Sequence, residues 1–584
     1  MGKFGLLLAV SAVLAPSSLL AGAVPHESYY PPATVPSVSK KFTDKLGAVA
    51  CEAEECSTIG IDILRKGGSA ADAIVGTVFC VGTIGMYHSG IGGGGFTLVH
   101  KGSKKGKKSS YEFIDFREEA PAAATEDMYT EDSDLSLYGG QASGIPGELR
   151  GLEHLHKNYG RLPWSTLVKP AIDIARYGFP VNADLDKFMK TTYTTYQNES
   201  FLLTDPTWAI DFAPKGKLLT LGDKITRKRY AKTLEAIAKG GADAFYEGHI
   251  ARATIKALKE QDGIMTMADL KNYSVVVREP NQISYKGGKI TGGTAPSSGA
   301  VGLAVMKILE GYEGIGDATQ VNKSTHLLDE ALKFSYGMRT NLGDPSFVDG
   351  MTEYQKQMVS EETAEAVRAK ITDRALNLSA YDPAGLESLE TPGTSHIVVM
   401  DKSGLAISLT TTINLIFGSR LMVPETGVIM NNEMNDFSIP GSSNAFGYIP
   451  SEANYIRPGK RPLSSISTTI VERANGIVSL VTGSAGGSRI ITATLQVLLN
   501  VLEKNMTAPE ALAEPRLHDQ MVPQRVEFEY TYDNSTVAYM KEIGNNVTWV
   551  ALGRSTAQAL RLLENGTFEA AGEPRQFNSG GYAT

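Results

Sequence analysis

Cysteine is scarce: the 584 residues hold three, Cys51, Cys56 and Cys80, and an odd count leaves at least one unpaired or intermolecular. The nine histidines are scattered and show no metal-ligand spacing; His154-x-His156 alone reads as a helical surface. No metal is expected. An excess of basic charge is missing too. The net charge is −8, which gives no footing for nucleic acid, and the local cluster Lys101 to Lys108 reads as a solvated loop between two strands. No stretch after residue 23 is long enough to span a bilayer. There is no internal repeat and no low-complexity block. The run Gly90-Ile91-Gly92-Gly93-Gly94-Gly95 matches GxGxxG in form only. It precedes a strand, Phe96 to His100, where the dinucleotide fingerprint needs a strand before and a helix after. It also lacks the Lys-Ser/Thr of a phosphate loop. No cofactor is called for.

What is present is an ordinary globular composition, 42% hydrophobic and 21% charged, in a chain longer than one usual core. Residues 1–23 carry one cation, Lys3, an apolar run from Phe4 to Leu14, and the small-residue pattern Ala21-Gly22-Ala23. This reads as a secretory signal, with an uncleaved N-terminal anchor as the alternative. Secretion fits the Asn-x-Ser/Thr acceptors at Asn198, Asn272, Asn322, Asn377, Asn505, Asn534, Asn546 and Asn565, some of them chance matches. Residues 24–43 read as a linker and the fold begins near Asp44. Gly47 to Ala50 reads as a short strand, Ser57 to Arg65 and Ser69 to Val81 as helices, Tyr111 to Phe116 as a strand, and Glu148 to Lys157 as a helix.

Two hairpins organise the second half. Gly393-Thr394 stands before an apolar run; Asp401 to Gly404 turn the chain, and Leu405 to Ile413 return. With Lys402 and Ser403 as the turn, Thr394 faces Thr411 and Thr412 lies one step away. On this pattern alone, Gly393-Thr394 is a loop entering a buried strand. The second hairpin turns at Asn475-Gly476 between Ser464 to Arg473 and Ile477 to Thr482. Its arithmetic sets Ser464 opposite Gly487 and Ser465 opposite Gly486. Gly486-Gly487 then lead into an apolar helix, Ile490 to Leu502. Free N–H groups at a helix start attract negative charge and can form an oxyanion hole; a loop that merely joins strand to helix is the plainer reading.

Gly393-Thr394-Ser395-His396, Thr412-Ile413-Asn414-Leu415, Asn431-Asn432-Glu433-Met434-Asn435-Asp436-Phe437, Pro458-Gly459-Lys460-Arg461-Pro462-Leu463-Ser464-Ser465 and Gly486-Gly487-Ser488 follow one another over about a hundred residues. In that order they resemble the successive signatures of γ-glutamyltransferases, which belong to the N-terminal-nucleophile hydrolases. The resemblance runs from about residue 44 to the C-terminus and takes in the glycine run His88 to Gly94, Asp115-Phe116-Arg117-Glu118 and Pro296-Ser297-Ser298-Gly299.

The resemblance implies an α+β fold, a four-layer αββα sandwich, made by a large chain (44–393) and a small chain (394–584) cut from one precursor and held as a heterodimer. It implies that Thr394 cleaves the Gly393–Thr394 bond and becomes an N-terminal nucleophile whose own α-amine, reference pKa about 7.7–8.0, is the general base. Thr412 would hydrogen-bond and position Thr394, and the N–H groups of Gly486 and Gly487 would hold the oxyanion. Asn414, Glu433 and Asp436 would take the α-amino group of a γ-glutamyl substrate, and Arg117, Ser464 and Ser465 its α-carboxylate. Arginine suits a carboxylate through its planar fork. Glutathione and related γ-glutamyl compounds are the implied donors, with water, an amino acid or a dipeptide as acceptor. A Cys56–Cys80 disulfide is implied as well, though the residues alone leave three buried thiols open. The segment Gly441 to Pro458 resembles a pocket cover, gated by Tyr448 or Tyr455. Two other readings stay open: a glutaryl-type acylase of the same superfamily, and an inactive processed glycoprotein.

Overall fold

Two antiparallel sheets lie face to face between helices. The computed structural model describes residues 45–102, 109–193, 200–382, 385–386, 393–442 and 449–584. The signal or anchor segment 1–23, the linker 24–43, Asn198, Tyr448 and most of the Lys101 to Lys108 cluster fall outside the described residues. The first sheet has seven strands in the order Gly580–Ala583, Gly47–Cys51, Ser395–Asp401, Leu405–Thr412, Gly94–Lys101, Tyr111–Phe116 and Val276–Arg278. The second has six: Phe568–Ala571, Thr556–Leu562, Val478–Ala485, Thr469–Glu472, Gly288–Gly292 and Asn281–Tyr285. Phe96, Phe113, Val398, Ile470, Val481 and Leu560 fill the space between them.

Helices close both outer faces. Ala70–Ile84 packs on the first sheet and all fifteen of its residues are buried, which is why the segment is apolar all round. Its start is fixed by Ser69, whose side chain accepts from the Asp72 N–H while Asp72 caps Ser69 in return. Arg489–Leu502 and Gly299–Glu310 cover the second sheet. The result is the expected αββα sandwich. Both sheets combine strands from either side of the Gly393–Thr394 bond. A cut there would leave the interleaved hydrogen bonds and the shared core in place.

The hairpin at Thr394 differs by one residue from the sequence arithmetic. Ser395 pairs Thr411 and Val399 pairs Ile407, so the loop has three residues, Lys402 to Gly404. Gly404 at φ +83° supplies the left-handed position such a loop needs. The shift aligns Thr394 with Thr412 instead of Thr411. In the second hairpin Thr469 pairs Thr482 as expected, but the loop is again three residues long, and an irregularity between Val471 and Glu472 restores the register. The ladder begins at Thr469. Ser464 and Ser465 therefore lie in an irregular segment before it, and the expected pairing of Ser464 with Gly487 and Ser465 with Gly486 is not part of the sheet.

Cys56 and Cys80 are joined in a disulfide between the helices Glu54–Arg65 and Ala70–Ile84. Cys51 is a buried free thiol pushed up to about 12, chiefly by burial. Among the described acceptors, Asn272, Asn377, Asn505, Asn534, Asn546 and Asn565 are exposed and Asn322 is half-buried.

Candidate active site

Thr394 sits buried at the entrance to the strand Ser395–Asp401. Its hydroxyl donates to the carbonyl of Gly393 at 2.6 Å. The Thr412 hydroxyl donates to the same carbonyl at 2.8 Å and itself accepts from the Asn414 N–H at 2.8 Å. In the uncut chain Thr412 thus holds the carbonyl that Thr394 would attack; it does not bond the Thr394 hydroxyl, as the sequence reading had it. Gly393 has φ +144°, and a Cβ there would stand 2.2 Å from the Asn414 carbonyl oxygen. Any larger residue would push the loop off Thr412. Behind this point the glycine run packs backbone to backbone: a Cβ on Gly93 would stand 1.9 Å from the Thr412 carbonyl oxygen. Close backbone packing behind the site is what the resemblance to the family's glycine-rich loop implies for this run.

Arg117 leaves the end of the strand Tyr111–Phe116 fully buried, its guanidinium paired with both Glu433 and Asp436. Its Nε donates to the Pro462 carbonyl at 3.3 Å. A third carboxylate, Glu118, lies 3.8 Å from the same guanidinium. Burial pushes the Glu118 carboxyl up to about 7, with Arg117 pulling the other way. Glu433 and Asp436 are likewise raised by burial and lowered by Arg117. One oxygen of Glu433, one of Asp436 and both of Glu118 are buried without a hydrogen-bond partner. Three buried carboxyls share the Arg117 guanidinium, with Arg339 acting on Asp436 as well, and carboxylates left uncompensated at such a site are costly unless a proton or a further cation arrives.

The cluster connects to Thr394 through two asparagines. Asn414, whose carbonyl packs on Gly393, donates from Nδ2 to the Asn432 carbonyl at 3.0 Å, one residue before Glu433. Asn431 accepts the N–H groups of Gly144 and Glu433 at 2.9 Å each and donates to the Gly92 carbonyl at 2.7 Å. It fixes the Glu433 turn to the glycine loop.

Ser464 and Ser465 are buried beside residues the sequence reading did not single out. Arg339 donates to the Ser465 hydroxyl at 3.0 Å and to the Ser298 hydroxyl at 3.0 Å, and Ser298 donates to the Ser464 carbonyl at 2.6 Å. Arg461 anchors the segment by pairing with Asp115 at 2.7 Å and Glu119 at 2.5 Å. Asp115 is two residues from Arg117, so the same pair braces the strand end. Glu148 was missed too. It is fully buried at a helix start, takes the Thr411 hydroxyl, and is pushed up to about 8, mainly by burial. Ser298 and Arg461 stood inside motifs, but Arg339 and Glu148 stood in none, and a lone buried charge has no periodicity to betray it.

Gly486 and Gly487, at φ +123° and +62°, precede the helix Arg489–Leu502. They line, with Gly393 and Thr394, a cavity of about 360 Å³. The nucleophile candidate and the oxyanion candidates therefore share one space, although no strand pairing brings them there.

The family model described as gamma-glutamyltranspeptidase matches residues 56–582. The chain is 52% identical to a glutathione hydrolase proenzyme of Arthroderma benhamiae, over 93% of this chain and 94% of that one. It is 47% identical to a glutathione hydrolase of Aspergillus flavus, over 93% and 90%. Among solved structures, a cephalosporin acylase from Bacillus halodurans shares the fold with a TM-score of 0.80 at 24% identity, covering 95% of this chain and 99% of that one. With a family match across nearly the whole fold and relatives of this identity over nearly their whole length, the chain belongs to the gamma-glutamyltranspeptidase family.

Proposed function

We propose that the protein is a glutathione hydrolase and γ-glutamyltransferase that first cuts its own chain at Gly393–Thr394. The observation that carries the reading is Arg117 held between Glu433 and Asp436 in a buried site joined to Thr394. A γ-glutamyl head group brings one α-carboxylate and one α-ammonium. Its carboxylate would take the guanidinium fork and the Ser464 and Ser465 hydroxyls. Its ammonium would take Glu433, Asp436 and the Asn414 side chain, adding positive charge to the carboxyl cluster. A glutaryl chain has no ammonium to offer, so the charge balance favours the glutamyl reading over the acylase one.

Self-cleavage is an N-to-O acyl shift. Thr394 Oγ1 attacks the Gly393 carbonyl carbon, and the Thr412 hydroxyl supports the charge that grows on the oxygen. The C–N bond breaks, the Thr394 nitrogen takes a proton, and water hydrolyses the ester to free Gly393. The new α-amine of Thr394 then serves as base to its own hydroxyl, which attacks the γ-carbonyl of the substrate. The N–H groups of Gly486 and Gly487 take the oxyanion. The leaving amine departs protonated, and water or an amino acid or dipeptide releases the γ-glutamyl group. The large and small chains stay together as a heterodimer through their shared sheets. The N-terminal segment would direct secretion, and the exposed acceptors would carry glycans outside the cell.

The test compares γ-glutamyl and glutaryl p-nitroanilides on the matured protein. Turnover of the first and not the second is expected. Preference for the glutaryl compound would favour the acylase, and turnover of neither by a cleaved sample would sink both.

A further inference from the structure

Arg117 and Arg461 each hold carboxylates, but Arg339 does not. It ends the helix Val321–Arg339 and is buried. Its Nη2 donates to Ser465 Oγ and its Nε to Ser298 Oγ, each at 3.0 Å. Among the described residues it forms no ion pair with a carboxylate, and Asp436 acts on it only at longer range. Burial lowers the pKa of the guanidinium from its ordinary value, with Tyr336 and Asp436 pulling the other way. A buried charge without a counter-charge is costly, and an anion brought near it relieves that cost. The helix end is also braced. Tyr336 donates to the Ser488 carbonyl at 2.7 Å, next to the oxyanion glycines, and the Thr340 carbonyl takes the Ser451 hydroxyl at 2.7 Å.

A guanidinium donates and cannot accept. Ser465 Oγ therefore accepts from Arg339, and its own proton points elsewhere. Among the described residues no acceptor takes that proton. Ser464 is arranged in the same sense: its Oγ accepts the Ile466 N–H at 3.2 Å, and its proton too has no described taker. Ser298, which receives the other Arg339 bond, donates to the Ser464 carbonyl at 2.6 Å. Arg117 is tied to the same segment through its Nε on the Pro462 carbonyl at 3.3 Å. The segment thus offers two hydroxyl protons, one of them backed by a buried cation.

We propose that Arg339 is a positioning residue for recognition of the α-carboxylate: acting through Ser465, it makes that hydroxyl an obligate donor and strengthens it with its charge. The proposal rests on the γ-glutamyl reading of the site. It makes the head-group site select an α-carboxylate over an α-carboxamide of the same shape. The NH2 of a carboxamide would meet donors only, and each donor left unpaired costs affinity.

The experiment uses the matured protein as wild type, Arg339→Lys, Arg339→Gln, Ser465→Ala, and each Arg339 change combined with Ser465→Ala. The substrates are γ-glutamyl p-nitroanilide and the same compound with its α-carboxylate amidated. Appearance of the small chain shows that a variant has folded. Lysine keeps the charge and can only donate, but it lacks the fork that reaches Ser465 and Ser298 together; glutamine can accept, which frees the Ser465 proton to turn towards it. KM for the free-carboxylate anilide should rise about threefold in Arg339→Lys and about tenfold in Arg339→Gln, with kcat within about twofold of wild type. The preference for carboxylate over carboxamide in kcat/KM should fall by about the same factors. In the Ser465→Ala background either Arg339 change should add less than about twofold, because the hydroxyl it acts through is gone. A merely structural part for Arg339 would lower the yield of active enzyme, and so kcat, while KM and the carboxylate preference stayed as in wild type. That result would overturn the proposal, and so would Arg339 effects that multiply in full with Ser465→Ala. If Arg339→Gln gives no small chain, Arg339→Lys with and without Ser465→Ala decides by the same readouts. Failure of wild type to turn over γ-glutamyl p-nitroanilide would instead strike the γ-glutamyl reading itself.

Discussion

The Thr412 hydroxyl and the Thr394 hydroxyl both donate to one acceptor, the carbonyl oxygen of Gly393, at 2.8 and 2.6 Å. The residue poised to attack and the residue that polarises its target are set by a single hairpin. Removing each in turn separates the two jobs. Thr394→Ala should remain one uncut chain. Thr412→Val should still cut at the same bond but about 10²- to 10³-fold more slowly, the usual loss for one oxyanion donor. Gel separation over time, with N-terminal sequencing of the small chain, checks both. A small chain that began elsewhere than Thr394 would rule out the nucleophile assigned here.

Gly393→Ala should fail to mature. The added methyl meets the Asn414 carbonyl oxygen at 2.2 Å in a backbone with φ +144°, and relief moves the scissile carbonyl away from Thr412. The variant should fold, because the strain sits in a loop outside the core. An intact circular dichroism spectrum with no small chain is the expected pair of results.

Arg117→Lys keeps the charge between Glu433 and Asp436 but loses the planar fork. It should mature normally and lose about 10²-fold in kcat/KM for γ-glutamyl p-nitroanilide, mostly through KM. Arg117→Ala should be far less stable, by about 3–5 kcal/mol, because it strands buried carboxylates. Urea unfolding distinguishes the two variants.

Glu148 predicts a pH dependence of stability. Its folded-state value is raised from 4.5 to about 8, chiefly by burial, so the folded chain holds a proton that the unfolded chain has released. Its contribution is therefore complete below pH 4.5 and is lost as the pH rises to about 8, at up to roughly 1.4 kcal/mol per pH unit. Glu148→Gln cannot ionise. Its stability relative to wild type should climb between pH 5 and 8 and then level off, as read from urea midpoints. A constant difference would mean Glu148 is charged in the fold.

The Cys56–Cys80 disulfide closes a loop of 24 residues in sequence separation. Loop entropy sets its contribution at about 3 kcal/mol. Cys56→Ser/Cys80→Ser should lower the thermal midpoint without changing the cut site or anilide turnover per folded molecule. The two cysteines are far from Thr394 in function, since they tie two covering helices and no site residue.

Much of this protein was legible in its sequence. The strand Tyr111–Phe116, and the helix read as Ile490 to Leu502 and found at Arg489–Leu502, followed from local periodicity and turn residues, because backbone propensity and apolar spacing act over a few neighbours. The order of short motifs from Gly393 to Ser488 pointed to the fold class and to the residues around Thr394. Register did not follow so closely. One glycine in the left-handed region, Gly404, lengthened a loop by one residue and exchanged Thr411 for Thr412 opposite Thr394. Only the tertiary structure decided what touches what across long separations. It set Arg117 between Glu433 and Asp436, sent the Thr412 hydroxyl to the Gly393 carbonyl, and put Arg339 on Ser465. All but the Thr412 contact, which spans 19 residues, join positions more than a hundred residues apart. They depend on how two sheets and their helices stack, and no local pattern in the chain records that.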